Sequence, residues 1–582
     1  MRLLKSESKN ATSLYVIKDF KEGDKRSTKV VEKLGTLKEL AEKLNGKDPI
    51  EWAEEYIAEL NQNETESMKE IIVKYSPNKY IPKDEQRSFN GGYLFLQKIY
   101  HELKLDNICC QIEKDYKFTF PLQTILSRLL FARILFPGSK LATFDVAKKF
   151  IEQPTFELQH IYRALEVIAK ESEAIQATLY RHSQKVCKRN SRILFYDCTN
   201  FFFEIEQADG LKQYGVSKEH RPNPIVQMGL FMDGDGLPLA FSVQEGNTNE
   251  QITLKPFEKR IIKDFELSRI VVCTDAGLAS TANRKFNNIA NRSFITTQSM
   301  KKLKKHLRDW ALSPSGWSFD GLDKTCNISE LMEADFEKKE NEKMKHSFME
   351  RIFYKERWIK EDGLEQKLII TYSLKYALYQ KQIRNRQVER ATKKIASGAS
   401  KVEKKNQNDY HRFIARESCT KDGEVADKTL YHINQEVIDA ESMFDGFYAV
   451  CTNLEDHPSE IAKINKGRWE IEESFRIMKS QFKSRPVYLS RDDRIKAHFT
   501  TCFISLLIYR LLEKKLEKKY TCEEIIDGLK DMNFYKIKGE GYIPTYTRTD
   551  FTDDLHEIFG FRTDYQIVDT KRLKEILKIS KS

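Results

Sequence analysis

RILFYD (Arg192–Asp197) and RIVVCTD (Arg269–Asp275) decide the fold. Each is a short, unbroken apolar run closing on an aspartate, the pattern of a strand covered on both faces. Between them, IVQMGLFM and LPLAFSV flank Asp233-Gly234-Asp235-Gly236, and an Asp-Gly pair tolerates the positive φ of a tight hairpin. SFITT (Ser293–Thr297) and GFYAVCTN (Gly446–Asn453) read as further buried strands. With helical stretches interposed, these predict an α/β core. Asp197 and Asp275 stand at strand ends, where a side chain is held firmly yet faces a crevice outside the sheet. Taken singly, each would read as a turn or cap residue.

Upstream, the periodicity is helical from Gly92 to about Lys188, with runs at Tyr93–Leu103, Leu122–Phe136 and Ile161–Val186. Pro121 suits a helix start and Pro137-Gly138 a stop. Nearer the N-terminus, Ser13–Gly35 alternates around a charged turn and predicts a β-hairpin, with helices at Leu37–Leu44 and Pro49–Asn61. After the second aspartate, residues 300–440 are charge-rich, with strands at Ser347–Trp358 and Gln366–Tyr372 and a basic helix over Ala377–Ala396. SGASKVEKKNQND (Ser397–Asp409) reads as an exposed linker, and a long helix begins near Ile461.

At 582 residues the chain exceeds what one hydrophobic core supports, so several domains or a core with a large insertion are expected. A hydrophobic content of 40%, with 35 Phe and 25 Tyr, excludes a disordered chain. The net charge of +11 permits a polyanionic partner. Ten cysteines with no CxxC pair and no zinc-type Cys/His spacing argue against a disulfide framework or a zinc site, and reduced thiols fit a cytoplasm. MRLLKSESKN has no apolar signal core, and CFISLLIYRLL (Cys502–Leu512) is too short to span a bilayer, so it reads as a buried helix and no membrane partner is expected. There is no GxxxxGK[ST] loop for ATP.

The third carboxylate lies in INKGRWEIEESFRIMKSQF (Ile464–Phe482). With Arg468 as zero and about 100° per residue, Ile464, Ile471, Phe475, Met478 and Phe482 fall between roughly 280° and 340°, an apolar stripe suited to packing on a sheet. Arg468, Lys479 and Glu472 fall at roughly 0°, 20° and 40°, at the edge of that stripe, while Glu470 and Glu473, at roughly 200° and 140°, project away. Glu472 is therefore the glutamate positioned to enter a site. On geometry alone, the plainer reading is an amphipathic helix with an Arg468–Glu472 pair worth a few tenths of a kcal/mol.

Arg468, Glu472 and Lys479 in this spacing, within RWEIEE, resemble the YREK signature of DDE transposases from bacterial insertion sequences. Asn465 stands where that signature has its Tyr. The resemblance takes in DCTNFFFE (Asp197–Glu204), GVSKEHRP (Gly215–Pro222), TDAGLAS (Thr274–Ser280) and RPVYLSRDDRIKAH (Arg485–His498), spanning about residues 190 to 510. It implies a ribonuclease-H-like mixed-sheet catalytic core interrupted by an insertion domain. The chain then divides into an N-terminal β-hairpin and helical DNA-binding region (1–91), a helical domain (92–188), the core in two parts (189–300 and 441–515) around the insertion (301–440), and a C-terminal region (516–582).

The resemblance also implies that Asp197, Asp275 and Glu472 are the catalytic metal ligands. Three carboxylates without His or Cys suit Mg²⁺ or Mn²⁺ better than zinc, and two such ions about 4 Å apart serve in-line phosphoryl displacement, with Asp197 bridging them. Arg468 and Lys479 would hold DNA phosphates. The implied activity is cleavage at the terminal inverted repeats of an insertion sequence and transfer of the ends to target DNA. The implied partners are double-stranded DNA and a second copy of the chain in a synaptic complex, in the cytoplasm and on the nucleoid when DNA is bound.

KKLKKHLRDW (Lys301–Trp310) and the residues Arg384, Arg386, Arg390, Lys393 and Lys394 fit a DNA path or a solvated helix face equally. Trp310, Trp317 or Trp358 either stacks on an extruded base, as in insertion domains of the resembled family, or packs. Lys218, with Glu219 and His220, approaches the site or forms a surface turn. His498 reads as a hydrogen-bonded core histidine. Two other functions stay open: a nuclease of the same fold that joins nothing, and a domesticated DNA-binding protein without catalysis.

Overall fold

The computed structural model describes residues 1–582 except 9–10, 23–24, 45–46, 68–70, 72, 74–75, 119, 323, 398–408 and 419–428. The chain falls into two units, Met1–Glu85 and Gln86–Ser582. In the first, strands Arg2–Glu7, Thr12–Glu22 and Lys25–Thr36 make an antiparallel sheet. Alternation along the middle strand buries Leu14 and Val16 completely, and Leu14 packs with Leu40 and Ala53 from helices Leu37–Lys43 and Pro49–Ser67. Thr36 caps the first of these: its hydroxyl accepts from the Glu39 N–H while the Glu39 carboxylate accepts from the Thr36 N–H. The expected hairpin is there, and Arg2–Glu7 adds a third strand that the mostly polar RLLKSE did not announce. Residues 23–24 of its turn lie outside the described residues, as do 398–408 of the expected linker.

The second unit is built on eight strands: β1 (Ile193–Phe202), β2 (Ile225–Asp233), β3 (Pro238–Glu245), β4 (Ile270–Thr274), β5 (Arg292–Gln298), β6 (Ile352–Glu361), β7 (Leu364–Ser373) and β8 (Phe447–Thr452). The sheet order is β6-β7-β8-β5-β4-β1-β2-β3. β1, β2 and β3 form an antiparallel meander, and β4 and β5 lie parallel to β1 on its other side. This is a ribonuclease-H-like core. The β2–β3 turn closes where Asp-Gly predicted: Gly236 takes φ +77°, and the fully buried Asp233 carboxylate accepts from the Asp235 and Leu237 N–H groups and pairs with Arg189 at 2.6 Å.

The charge-rich segment supplies two strands to the same sheet. β6 and β7 join it through β8, each pair antiparallel, so the inserted chain continues the core. β6 starts at Ile352 rather than Ser347, because Glu342–Phe348 coils into a helix.

Six helices between Tyr93 and Val186 form the expected helical block. The helix Asp492–Lys515 packs against four of them, Tyr93–Glu102, Leu122–Leu135, Leu158–Lys170 and Ser172–Val186, and against β3. It is long and apolar enough to cross a membrane by length and composition, yet nearly all of it is buried within the protein, which explains an apolar run with no polar face. The expected burial of Cys502–Leu512 holds. At the far end of the chain, Asn533–Ile537, Gly541–Pro544 and Val568–Asp569 form a sheet with Ser88–Asn90.

Glu258, on the helix Glu250–Asp264, is fully buried, with Asn287 Nδ2 donating to it at 3.0 Å. Burial pushes its carboxyl from 4.5 up to about 7, against the opposing pull of Asn287 and Arg292. Below pH 4.5 both the folded and unfolded chains hold this proton. Between pH 4.5 and 7 only the unfolded chain releases it, so stability falls across that window by up to ~3 kcal/mol and stays lower above it. Urea unfolding of Glu258→Gln should match the wild type near pH 4.5 and show a higher midpoint at pH 8; equal midpoints at pH 8 would refute the assignment.

Candidate active site

The site begins where two parallel strands part. β1 and β4 pair as Ile193 with Val271, Leu194 with Val272 and Phe195 with Cys273. β4 then stops at Thr274 while β1 runs on beside β2. Two residues past the last pair stand Asp197 and Asp275, where the parallel pairing ends and open α/β sheets leave a crevice. Asp275 is at a strand end, as expected. Asp197 is not: it lies mid-strand in β1, and only its parallel neighbour has ended. The Cys198 N–H donates to Asp197 Oδ1 at 2.7 Å, and the Leu278 N–H to Asp275 Oδ1 at 3.1 Å.

Burial pushes the Asp197 carboxyl up to about 6; Lys218 opposes this, Asp275 adds to it, and the Cys198 N–H and Arg468 pull back. Lys218 sits at the rim, its Nζ donating to the Cys198 carbonyl and lying 3.3 Å from Glu250 Oε1. Burial lowers its ammonium, but Asp197 and Glu250 outweigh that and leave it raised.

Opposite, the chain from Pro458 is helical in three pieces: Pro458–Lys466, Trp469–Arg476 and a π-helical stretch Ile477–Gln481. Between the first two, Gly467 passes so close to β1 that a Cβ there would stand 2.7 Å from Phe195 Cζ, so a glycine is what brings the helix against the strand. Arg468 follows it, its side chain largely buried, with Nη1 donating to Thr297 Oγ1 at 3.0 Å and Nη2 4.0 Å from Glu472 Oε1. Glu472 is exposed. Lys479 Nζ donates to Thr199 Oγ1 at 2.7 Å, on the same face of β1 as Asp197, and burial, with Lys218 beside it, lowers this ammonium to about 8 against the pull of Asp197.

A family model described as the transposase DDE domain matches residues 189–508, more than half of the chain. The chain belongs to the transposase DDE domain family. No curated protein matches it in sequence. Among solved structures, the chain is similar to a piggyBac transposase synaptic complex with hairpin DNA, at 7% identity and a TM-score of 0.33 over 77% of this chain and 82% of that one. A second match is a Mos1 transposase paired-end complex with the left transposon end, at 13% identity and a TM-score of 0.13 over 38% and 61%.

In this DDE domain four of the five residues of the predicted apolar stripe are inside, with Ile471, Met478 and Phe482 fully buried and Phe475 nearly so, while Ile464, before the break at Gly467, is half-buried. Glu470 departs from expectation. Far from projecting into solvent, it is buried against the helix Asp492–Lys515, paired with Arg510 and Lys518, because a second helix covers the side that the sequence of one helix left open. Glu473 pairs with Arg510 as well. Among the described residues, Asp197, Asp275 and Glu472 do not gather within 4.8 Å of one another. The grouping that does is Asp553, His556 and Asp564. There the Thr563 N–H donates to His556 Nε2, so Nδ1 carries the ring proton of the neutral imidazole and is no ligand, and Arg548 and Arg562 already hold both carboxylates.

Two expected DNA contacts are overturned. Trp317 is fully buried and its Nε1 donates to the Ser313 carbonyl, closing a core with Tyr372 and Phe447. Arg384 is buried in a two-pronged pair with Asp445. Trp310 is partly covered, its ring near Lys355 and Arg357. Arg386, Arg390 and Trp358 are exposed. His498 is the core histidine predicted, buried with Nε2 against the Ser484 carbonyl.

The sequence reading missed Thr297 and Tyr448. Asn465, the departure from the signature, donates to the Tyr448 hydroxyl at 3.1 Å, which shares a 2.7 Å hydrogen bond with the Thr297 hydroxyl that receives Arg468. A phenol therefore reaches this network from β8 rather than from the helix, and no spacing rule along one element could have found it.

Arg510 is buried among Glu470, Glu473 and Glu513. Removing one partner of such a cluster leaves uncompensated buried charge, so Arg510→Leu should cost ~3–5 kcal/mol in chemical denaturation. Glu472→Gln, at an exposed site, should stay within ~0.5 kcal/mol of the wild type. A large loss for Glu472→Gln would mark it as a structural residue.

Proposed function

We propose that the chain is a DNA transposase of the bacterial insertion-sequence type that cleaves at terminal inverted repeats and joins the freed ends to target DNA. The observation that carries this reading is the pairing of Asp197 and Asp275 where β1 and β4 part, with Arg468 and Lys218 acting on Asp197.

The donor set fits hard divalent cations. The candidate ligands are all carboxylates, and Asp197 is held partly against ionisation by burial and by a second carboxylate, a strain that a bound dication relieves. Asp197, Asp275 and Glu472 would hold Mg²⁺ or Mn²⁺. Bound there, the metal supplies Lewis-acid activation of the attacking and leaving oxygens of a phosphodiester.

The protein's own groups orient the DNA. Arg468 is fixed by Thr297, with Nη2 4.0 Å from the exposed Glu472, and would offer its guanidinium to a phosphate oxygen beside that glutamate. Lys479, anchored on Thr199, places a second cation on the same face of β1 as Asp197. Synapsis of two element ends calls for two copies of the chain, and the reaction belongs in a cytoplasm where the DNA is accessible.

Purified protein, Mg²⁺ and DNA carrying the inverted repeats that flank the gene should give joined products. Asp197→Asn, Asp275→Asn and Glu472→Gln should each lower cleavage more than ~100-fold, since even the outer partners of metal ligands are worth about 10–100-fold, while DNA binding persists. Cleavage with no joining would favour a nuclease, and DNA binding with neither would favour a domesticated binding protein.

A further inference from the structure

Glu219 lies in the GVSKEH turn, outside the carboxylates assigned above, and three cations converge on it. Arg485 pairs with its Oε1, Lys479 Nζ is 3.4 Å from the same oxygen, and Arg221 Nε is 4.0 Å from Oε2. The guanidinium groups of Arg221 and Arg485 both lie over the Phe202 ring, at 4.1 and 5.9 Å, a buried aromatic at the end of β1. Such a face holds cations in place without neutralising them. The turn aims the carboxylate inward: the Ser217 hydroxyl accepts from the Glu219 and Arg221 N–H groups, and His220 between them takes the left-handed φ of 56°, uncommon for a residue other than glycine.

One carboxylate thus faces three cations. The surplus sits beside the crevice, because Lys479 also bonds Thr199, two residues from Asp197 and about 7 Å along the strand. A phosphodiester carries one negative charge on two free oxygens, the same charge and acceptor count as a carboxylate.

Resting on the transposase reading, we propose that Arg485, Arg221 and Lys479 form a phosphate subsite for the DNA backbone next to the reacting position, and that Glu219 occupies it until DNA displaces the turn. Glu219 is then a positioning residue for the empty state, and Arg485 and Arg221 are DNA ligands.

The test is a double-mutant cycle read by fluorescence anisotropy with a 30-base-pair duplex over a salt series, without divalent metal. Glu219→Gln should bind about tenfold more tightly than the wild type. Arg485→Gln should bind more weakly, with the log–log salt slope reduced by about one unit, the change expected when the protein neutralises one phosphate fewer. In Glu219→Gln/Arg485→Gln, the gain from Glu219→Gln should shrink to less than about threefold, since there is less left to unmask. Purely additive effects, or a Glu219→Gln protein that binds no more tightly, would overturn the subsite while leaving the transposase reading intact. A wild-type protein that binds no DNA would sink both. Melting temperatures within about 2–3 °C of each other across the set would separate these outcomes from misfolding, and Arg221→Gln gives a second slope should Arg485→Gln fail to fold.

Discussion

Two like charges set into a partly desolvated cleft are the constraint to which the rest of the site answers. Where β1 and β4 part, Asp197 and Asp275 are brought together by backbone pairing, whatever their mutual repulsion. The surroundings divide their response. The N–H groups of Cys198 and Leu278 each donate to one carboxylate. Lys218 and Arg468 supply positive charge from opposite sides, one from a loop after β1 and one from a helix much later in the chain. Compensation is incomplete: burial and Asp275 still leave the Asp197 carboxyl raised to about 6.

The far wall of the site is held by packing and by a buried charge cluster. Gly467 lets the helix approach Phe195, the apolar stripe from Ile471 to Phe482 fixes its rotation, and Arg510 ties its outer face to the helix Asp492–Lys515. Two further braces come from the helical block and from the helix Asp492–Lys515: Arg133 donates to the carbonyl of Phe482, and His498 bonds the carbonyl of Ser484, just past the π-helical stretch. These contacts place Arg468 against Thr297 of β5 and Lys479 against Thr199 of β1.

Much of this was legible in the residues. Unbroken apolar runs marked β1, β4, β5 and β8, Asp-Gly marked the β2–β3 turn, and helical periodicity separated the buried stripe from Arg468 and Lys479. What escaped depended on contacts between segments distant in sequence. Glu470 looked solvent-facing because one helix cannot report the second that covers it. Arg384 and Trp317 looked available because Asp445 and the Tyr372–Phe447 core lie elsewhere in the chain. Tyr448 and Thr297 carry no motif, and only the β5–β8 pairing sets them beside Arg468. The charge-rich composition of the insertion hid its tie to the core, since the edge strand β6 meets solvent along much of its length and the buried β7 carries Gln366 and Lys367 inside.

That tie bears on how the protein is made. β6 and β7 reach the core only through β8, yet β8 is synthesised after both, at Phe447–Thr452. At about 5–20 residues per second, the chain between Ser373 and Phe447 takes several seconds to emerge. During that interval β5 is an uncovered sheet edge and the β6–β7 hairpin has no strand partner on its β7 side, two unpaired strand borders in one nascent chain. Both borders are covered only when the short strand β8 enters between β7 and β5, and Tyr448, which it carries, reaches Thr297 and Asn465 at that step.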